Sequence, residues 1–121
     1  MSSLSLQAER PRAQDVVVTD DSLVVELTDG RTVSTPLAWY PRLVHGTPAE
    51  REHWRLIGNG EGIHWPKLDE DLSVDGIIAG RPSGESAQSL RRWLDLRGKR
   101  GRLVARKRRV AHSGDKRARR K

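Results

Sequence analysis

The chain is 121 residues long, with 35% hydrophobic and 32% charged residues, no Cys and no Phe, which is length for one domain rather than two. Without Cys there is no disulfide, thiolate metal ligand or Cys nucleophile, and no run of about 18 apolar residues is present to span a membrane. The net charge of +7 is unevenly placed: residues 1–90 carry eight Lys/Arg against fourteen Asp/Glu, a net −6, and residues 91–121 carry fifteen against two, a net +13. An acidic globular part is therefore followed by a basic end with too few apolar residues for a core of its own, and that charge is available to a polyanion.

Met1–Gln14 is polar and lacks the positive-then-apolar layout of a secretory signal. It reads as a mobile lead-in, and a cytoplasmic location is expected. From Asp15 the pattern turns β: Val16–Val18 are β-branched, and Asp20-Asp21 marks a turn. Leu23, Val25 and Leu27 then alternate with other residues at period 2, as in a strand with one buried face. Asp29-Gly30 separates this run from Arg31–Thr35, and Asp-Gly between two β runs predicts a hairpin because both residues tolerate positive φ. Strands are expected near 15–19, 22–28 and 31–35, with Pro36 ending the third.

Thr47-Pro48-Ala49-Glu50 predicts a helix start, with Thr as N-cap, Pro at N1 and Glu at N3, and the helix is expected to reach about Arg55. Gly58-Asn59-Gly60-Glu61-Gly62 demands a turn, expected to join a second hairpin that pairs Trp54–Ile57 with Gly62–Trp65. Leu72, Val74, Ile77 and Ile78 suit the core side of a short helix capped by Asp71 or Ser73, with the acidic cluster at its positive end. Ser83–Ser86 opens a further helix whose stripe is Ala87, Leu90, Trp93 and Leu94, ended by Gly98. The expected architecture is α+β: a domain over residues 15–82 with a small antiparallel sheet (a meander plus a second hairpin) and short helices. A C-terminal helix at 83–97 and a basic disordered tail at 98–121 follow.

Thr19–Leu23, Leu27–Arg31, Pro36-Leu37-Ala38-Trp39-Tyr40-Pro41-Arg42-Leu43, Gly62-Ile63-His64-Trp65-Pro66 and Leu68–Val74 resemble domain-of-unknown-function family 2442 over about residues 15–80. The resemblance implies a small bacterial α+β domain. Its members are often encoded beside a small toxin, so it also implies an antitoxin role. Some members carry a C-terminal helix-turn-helix, which needs several helices; this chain has one helix and a basic tail in that place. The resemblance supplies no catalytic residue.

No phosphate-binding Gly-Lys motif and no nucleophile elbow occurs, and neither an enzyme nor a cofactor is expected. His64 with Asp69, Glu70 and Asp71 offers the materials of a metal-dependent hydrolase. Adjacent carboxylates diverge, however, and capping with a solvated acidic face accounts for the cluster. Trp39 and Tyr40, set between Pro36 and Pro41 with Arg42 beside them, have the composition of a binding hot spot; with no Phe in the chain, some of the aromatics must also serve as core. The expected partner-binding residues are Trp39, Tyr40, Arg42, Asp69, Glu70 and Asp71, taking a small basic protein. The last 25 residues hold thirteen Lys/Arg, and Arg suits phosphate. The expected nucleic-acid-binding residues are Lys99, Arg100, Arg102, Arg106, Lys107, Arg108, Arg109, Arg117, Arg119 and Arg120, on DNA or RNA. A membrane surface is not expected, since Leu103, Val104 and Val110 show no sustained stripe. The chain thus reads as a non-enzymatic, antitoxin-like binding module; the alternative is a stand-alone nucleic-acid-binding protein with no toxin partner.

Overall fold

The computed structural model describes residues 10–111, with side chains for residues 10–99. The chain divides into two units, residues 1–84 and 85–121.

In the first unit, β1 (Ala13–Val18), β2 (Ser22–Leu27) and β3 (Thr32–Pro36) form an antiparallel sheet in that order. The period-2 alternation has its expected effect: Leu23, Val25 and Leu27 are buried while Glu26 is exposed. Val25 lies opposite Val16 on one side and Val33 on the other, a row of β-branched residues that suits a pleated surface. β1 begins earlier than Asp15, because Ala13 is buried and pairs with Leu27 across an irregularity between Ala13 and Asp15. Arg10 and Arg12 also belong to the domain: Arg10 pairs with Asp75 at 2.7 Å, and the Arg12 amide donates to Thr28 Oγ1 at 3.0 Å. The expected mobile lead-in thus gives way to ordered chain by Arg10; Met1–Glu9 lie outside the described residues. Pro36 is the last residue of β3 rather than its terminator, and at a sheet edge no ladder N–H is demanded of it.

The two turns are built by side chains. Thr19 Oγ1 accepts from the amides of Ser22 and Asp21 at 2.9 and 3.3 Å, as Thr does in a turn. Gly30 supplies the positive φ of +94° in the second turn. The Asp29 carboxylate accepts from the backbone N–H and the guanidinium of Arg31, and the backbone bond chiefly holds its pKa below the usual carboxylate range. That interaction favours the fold above the ordinary carboxylate pKa and is lost as pH falls through the lowered value.

A 3-10 turn at Leu37–Trp39 leads into α1 (Pro41–Val44) and α2 (Pro48–Glu52). α2 has the expected capping box: Thr47 Oγ1 accepts from Glu50 N, and Thr47 N donates to Glu50 Oε1, a device whose loss costs about 1 kcal/mol. The helix stops at Glu52, short of Arg55, because Arg55 is taken into β4 (Arg55–Ile57) opposite His64 of β5 (Gly62–Trp65). Arg51 turns back onto α1, donating to the carbonyls of Leu43 and Val44 at 2.8 and 2.9 Å, and so satisfies acceptors that a helix end leaves open. The turn between β4 and β5 holds Gly58, Asn59 and Gly60 at φ of 60°, 58° and 91°. A Cβ on Gly60 would stand 2.6 Å from the Ala13 carbonyl, so only glycine lets this turn approach the start of β1.

β6 (Glu70–Ser73) corrects the sequence expectation. Glu70 and Asp71 do not cap a helix; they form the third strand of a second antiparallel sheet, ordered β4-β5-β6. Asp and Glu have low strand propensity, but charge on an edge strand hinders sheet-to-sheet association. α3 (Val74–Ile78) follows directly, capped by Ser73, whose Oγ accepts from Gly76 N at 2.9 Å. The core draws Leu23, Val25 and Leu27 from the first sheet, Leu37, Tyr40 and Leu43 from the connection, Ile63 and Trp65 from β5, Leu68, and Val74 and Ile77 from α3.

The second unit carries α4 (Ala87–Ala111), about 37 Å long at 1.5 Å per residue. Ser86 Oγ accepts from Ser89 N at 3.0 Å, an N-cap bond that starts the helix after the Ser83 expected to open it. α4 passes through Gly98 and Gly101. Each Gly costs about 1 kcal/mol relative to Ala, and the surrounding Arg, Lys, Leu and Ala are good helix formers. Residues 98–111, expected as irregular tail, are therefore helical. Residues 112–121, also expected as disordered tail, lie outside the described residues. Among the described residues no helix is long and apolar enough to cross a membrane.

Candidate functional site

The six residues expected to bind a partner fall into three kinds. Tyr40 is 1% exposed, and its hydroxyl donates to the buried Thr35 Oγ1 at 3.2 Å. It is a core residue, so the expectation that it anchors a partner is corrected. Trp39, its neighbour at a ring-centroid distance of 6.5 Å and 70° between planes, is half-buried and keeps part of its ring at the surface. The aromatic pair divides because the 3-10 turn points consecutive side chains in different directions, one inward and one along the surface.

Arg42 is a strap rather than a free hot-spot cation. Its side chain is 15% exposed, and it donates to the Asp69 carbonyl at 2.9 Å and lies 3.5 Å from the Asp69 carboxylate. The strap ties α1, next to Trp39, to the turn that enters β6. Asp69 sits there with φ +53° and its carboxylate 87% exposed. The structure therefore places the aromatic loop and the acidic turn side by side.

Asp71 stands directly opposite His64 in the β5–β6 ladder, and its Oδ1 contacts His64 Nδ1. The pair joins an exposed carboxylate to a half-buried imidazole. Among the described residues, no group of three or more His, Asp or Glu side chains is placed to hold a metal ion. Glu70, half-buried, faces a cleft of about 210 Å³ shared with Tyr40, Asp71, Ser73, Arg81 and Ser83. That volume falls short of the roughly 300–1,000 Å³ of small-molecule sites. Ser83 N donates to the Trp39 carbonyl at 3.0 Å, which fixes the cleft wall to the aromatic loop. In the sequence Ser73 carries a capping signal and Ser83 a helix-opening one, and nothing there marks these two or Arg81 as cleft residues; only the fold brings residues 70–84 back beside residues 39–40.

Of the expected nucleic-acid-binding residues, Lys99, Arg100, Arg102, Arg106, Lys107, Arg108 and Arg109 lie on α4. Arg117, Arg119 and Arg120 lie outside the described residues. At the start of α4 the Arg97 guanidinium lies over the Trp93 ring, 4.8 Å from its centroid, a cation–π contact. Arg91, Arg92 and Lys99 are exposed.

The sequence profile of the family described as Protein of unknown function (DUF2442) matches residues 13–83. The chain belongs to this DUF2442 family. The matched segment runs from the start of β1 to the cleft wall at Ser83, so the two sheets and the acidic turn are family structure, whereas α4 lies beyond the match. No curated protein matches the chain. Two solved structures are similar to it. One is a protein of unknown function from Rhodospirillum rubrum, 28% identical, with a TM-score of 0.56, covering 64% of this chain and 95% of that one. The other is an uncharacterized protein from Chromobacterium violaceum, 24% identical, with a TM-score of 0.55, covering 72% of this chain and 82% of that one. The second likeness is one of fold alone.

Proposed function

We propose that this DUF2442 protein is a non-enzymatic cytoplasmic binding module whose basic end binds nucleic acid and whose acidic domain takes a basic protein partner. The observation that carries the first half is the charge division, a net −6 over residues 1–90 and +13 over residues 91–121. A segment so rich in Arg binds phosphates by releasing their counterions, with log K falling linearly in log salt. If about six phosphates are neutralised, the slope is near −5 on duplex DNA and near −4 on a single strand. Fluorescence anisotropy of a labelled oligonucleotide, titrated with the full chain across salt concentrations, measures this slope. A salt-insensitive affinity would mean that stacking dominates and would contradict the proposal.

The second half has its own observation, the strap from Arg42 to Asp69 that sets the half-buried Trp39 beside exposed carboxylates. Charge draws a basic partner to such a face, and a partly exposed Trp anchors it. The antitoxin role implied by the family resemblance is the specific form of this reading. Trp39→Ala is expected to cost about 2 kcal/mol or more of partner binding while circular dichroism stays native. Capture from a lysate of the source cell on the full chain, followed by calorimetry against the small basic protein so identified, checks it. Unchanged affinity in a folded variant would remove Trp39 from the interface.

A further inference from the structure

The helical form of residues 98–111 gathers onto one side of a rod cations that look evenly scattered in the sequence. At about 100° per residue, positions Arg91, Arg92, Lys99, Arg102, Arg106 and Arg109 fall within one sector of about 100°, where the one acid is Asp95. From position 91 to position 109 the sector runs about 27 Å along the axis. Trp93, Leu96, Leu103 and Val104 occupy the adjoining sector, with Arg100 and Lys107 in its middle, and Val110 falls at the angle of Arg92 on the boundary. In the sequence alone this row is hidden, because Gly98 resembles a helix end and the wheel stops there.

Resting on the proposal that the basic end binds nucleic acid, the geometry points to duplex DNA as the ligand and to this face of α4 as the element that seats in its major groove. The B-form major groove is about 12 Å wide and admits an α-helix of about 10–12 Å diameter. The A-form major groove of duplex RNA is deep and narrow and does not. A row of cations about 27 Å long follows the phosphates of a groove wall, and Arg meets phosphate with two parallel hydrogen bonds. A helix that already sets these positions in a row gives up less backbone entropy on binding than a flexible polycation. An anionic membrane suits the helix less, because Arg100 and Lys107 interrupt the apolar sector that would enter the lipid. Contacts of this kind carry no base information, so the seat is shared by all duplex sequences.

The test uses the full chain and four probes: labelled duplex DNA, duplex RNA, single-stranded DNA, and vesicles of phosphatidylcholine with phosphatidylglycerol. Two triple variants remove equal charge. R102Q/R106Q/R109Q strips the face and is expected to reduce the magnitude of the salt slope on duplex DNA by about three. R100Q/K107Q/R108Q strips other sides and is expected to change it by less than about one. Ala105→Pro keeps every charge but breaks the helix, and is expected to weaken duplex binding tenfold or more, with a loss of helical circular dichroism. Equal effects of the two triples, with Ala105→Pro binding normally, would overturn the helical face and leave an unstructured polycation. Equal affinity for duplex RNA or single strands, or tighter binding to the vesicles, would overturn the groove seat. Failure of the full chain to bind any nucleic acid at low salt would instead overturn the underlying proposal.

Discussion

Trp65→Ala is expected to cost the domain about 3–5 kcal/mol, the range for truncating a large aromatic in a core. Trp65 has no exposed surface, and its Nε1 donates to the Arg51 carbonyl at 3.0 Å. The substitution thus removes the largest buried side chain and also leaves a carbonyl without its donor. Single domains hold about 5–15 kcal/mol in all, so most of the stability goes. Trp65→Phe keeps much of the bulk and loses the hydrogen bond, and is expected to fall between the two. Urea unfolding followed by far-ultraviolet circular dichroism measures both. A loss below about 1 kcal/mol for Trp65→Ala would mean that the second sheet does not build the core as described.

Where the sequence carries periodic or capping signals, the fold was legible in it. The alternation of Leu23, Val25 and Leu27, the Asp29-Gly30 turn and the Thr47–Glu50 capping box all appear in the structure near their expected places. β6 was illegible because its residues, Glu70-Asp71-Leu72-Ser73, are short, polar and acidic, and pairing with β5 overrides their local preference. The end of α4 was misplaced for a related reason. A lone Gly98 resembles a cap, but a glycine costs a helix only about 1 kcal/mol when good helix formers follow it.

The candidate site was legible as a composition and not as a geometry. Nothing in Trp39-Tyr40 says which ring turns inward; burial of Tyr40 against Thr35 decides it. Arg42 was expected as a partner-binding residue beside the aromatic loop, and it reaches across 27 positions of sequence to Asp69. The His64–Asp71 contact follows from the register of β5 on β6, and β6 was the strand that sequence reasoning did not see.

The second large effect is expected from a chain that ends at Arg97. That truncation removes twelve Lys/Arg and leaves eleven against fifteen Asp/Glu, which reverses the sign of a net +7. The core residues run from Ala13 to Trp93 and all precede the cut, so the domain keeps its urea midpoint, while the helical circular dichroism falls by the share of residues 98–111. What remains is an acidic protein, and an anionic ligand is repelled by it.

The central claim, that the basic end is the nucleic-acid-binding element, is tested most directly by comparing this truncated chain with the full one on a labelled DNA duplex. Anisotropy is read at about 50 and about 200 mM salt. The account predicts that the full chain loses about 10³-fold in affinity between the two salts and that the truncated chain binds at neither. A truncated chain that binds as tightly as the full one would place the site elsewhere on the molecule and contradict the account.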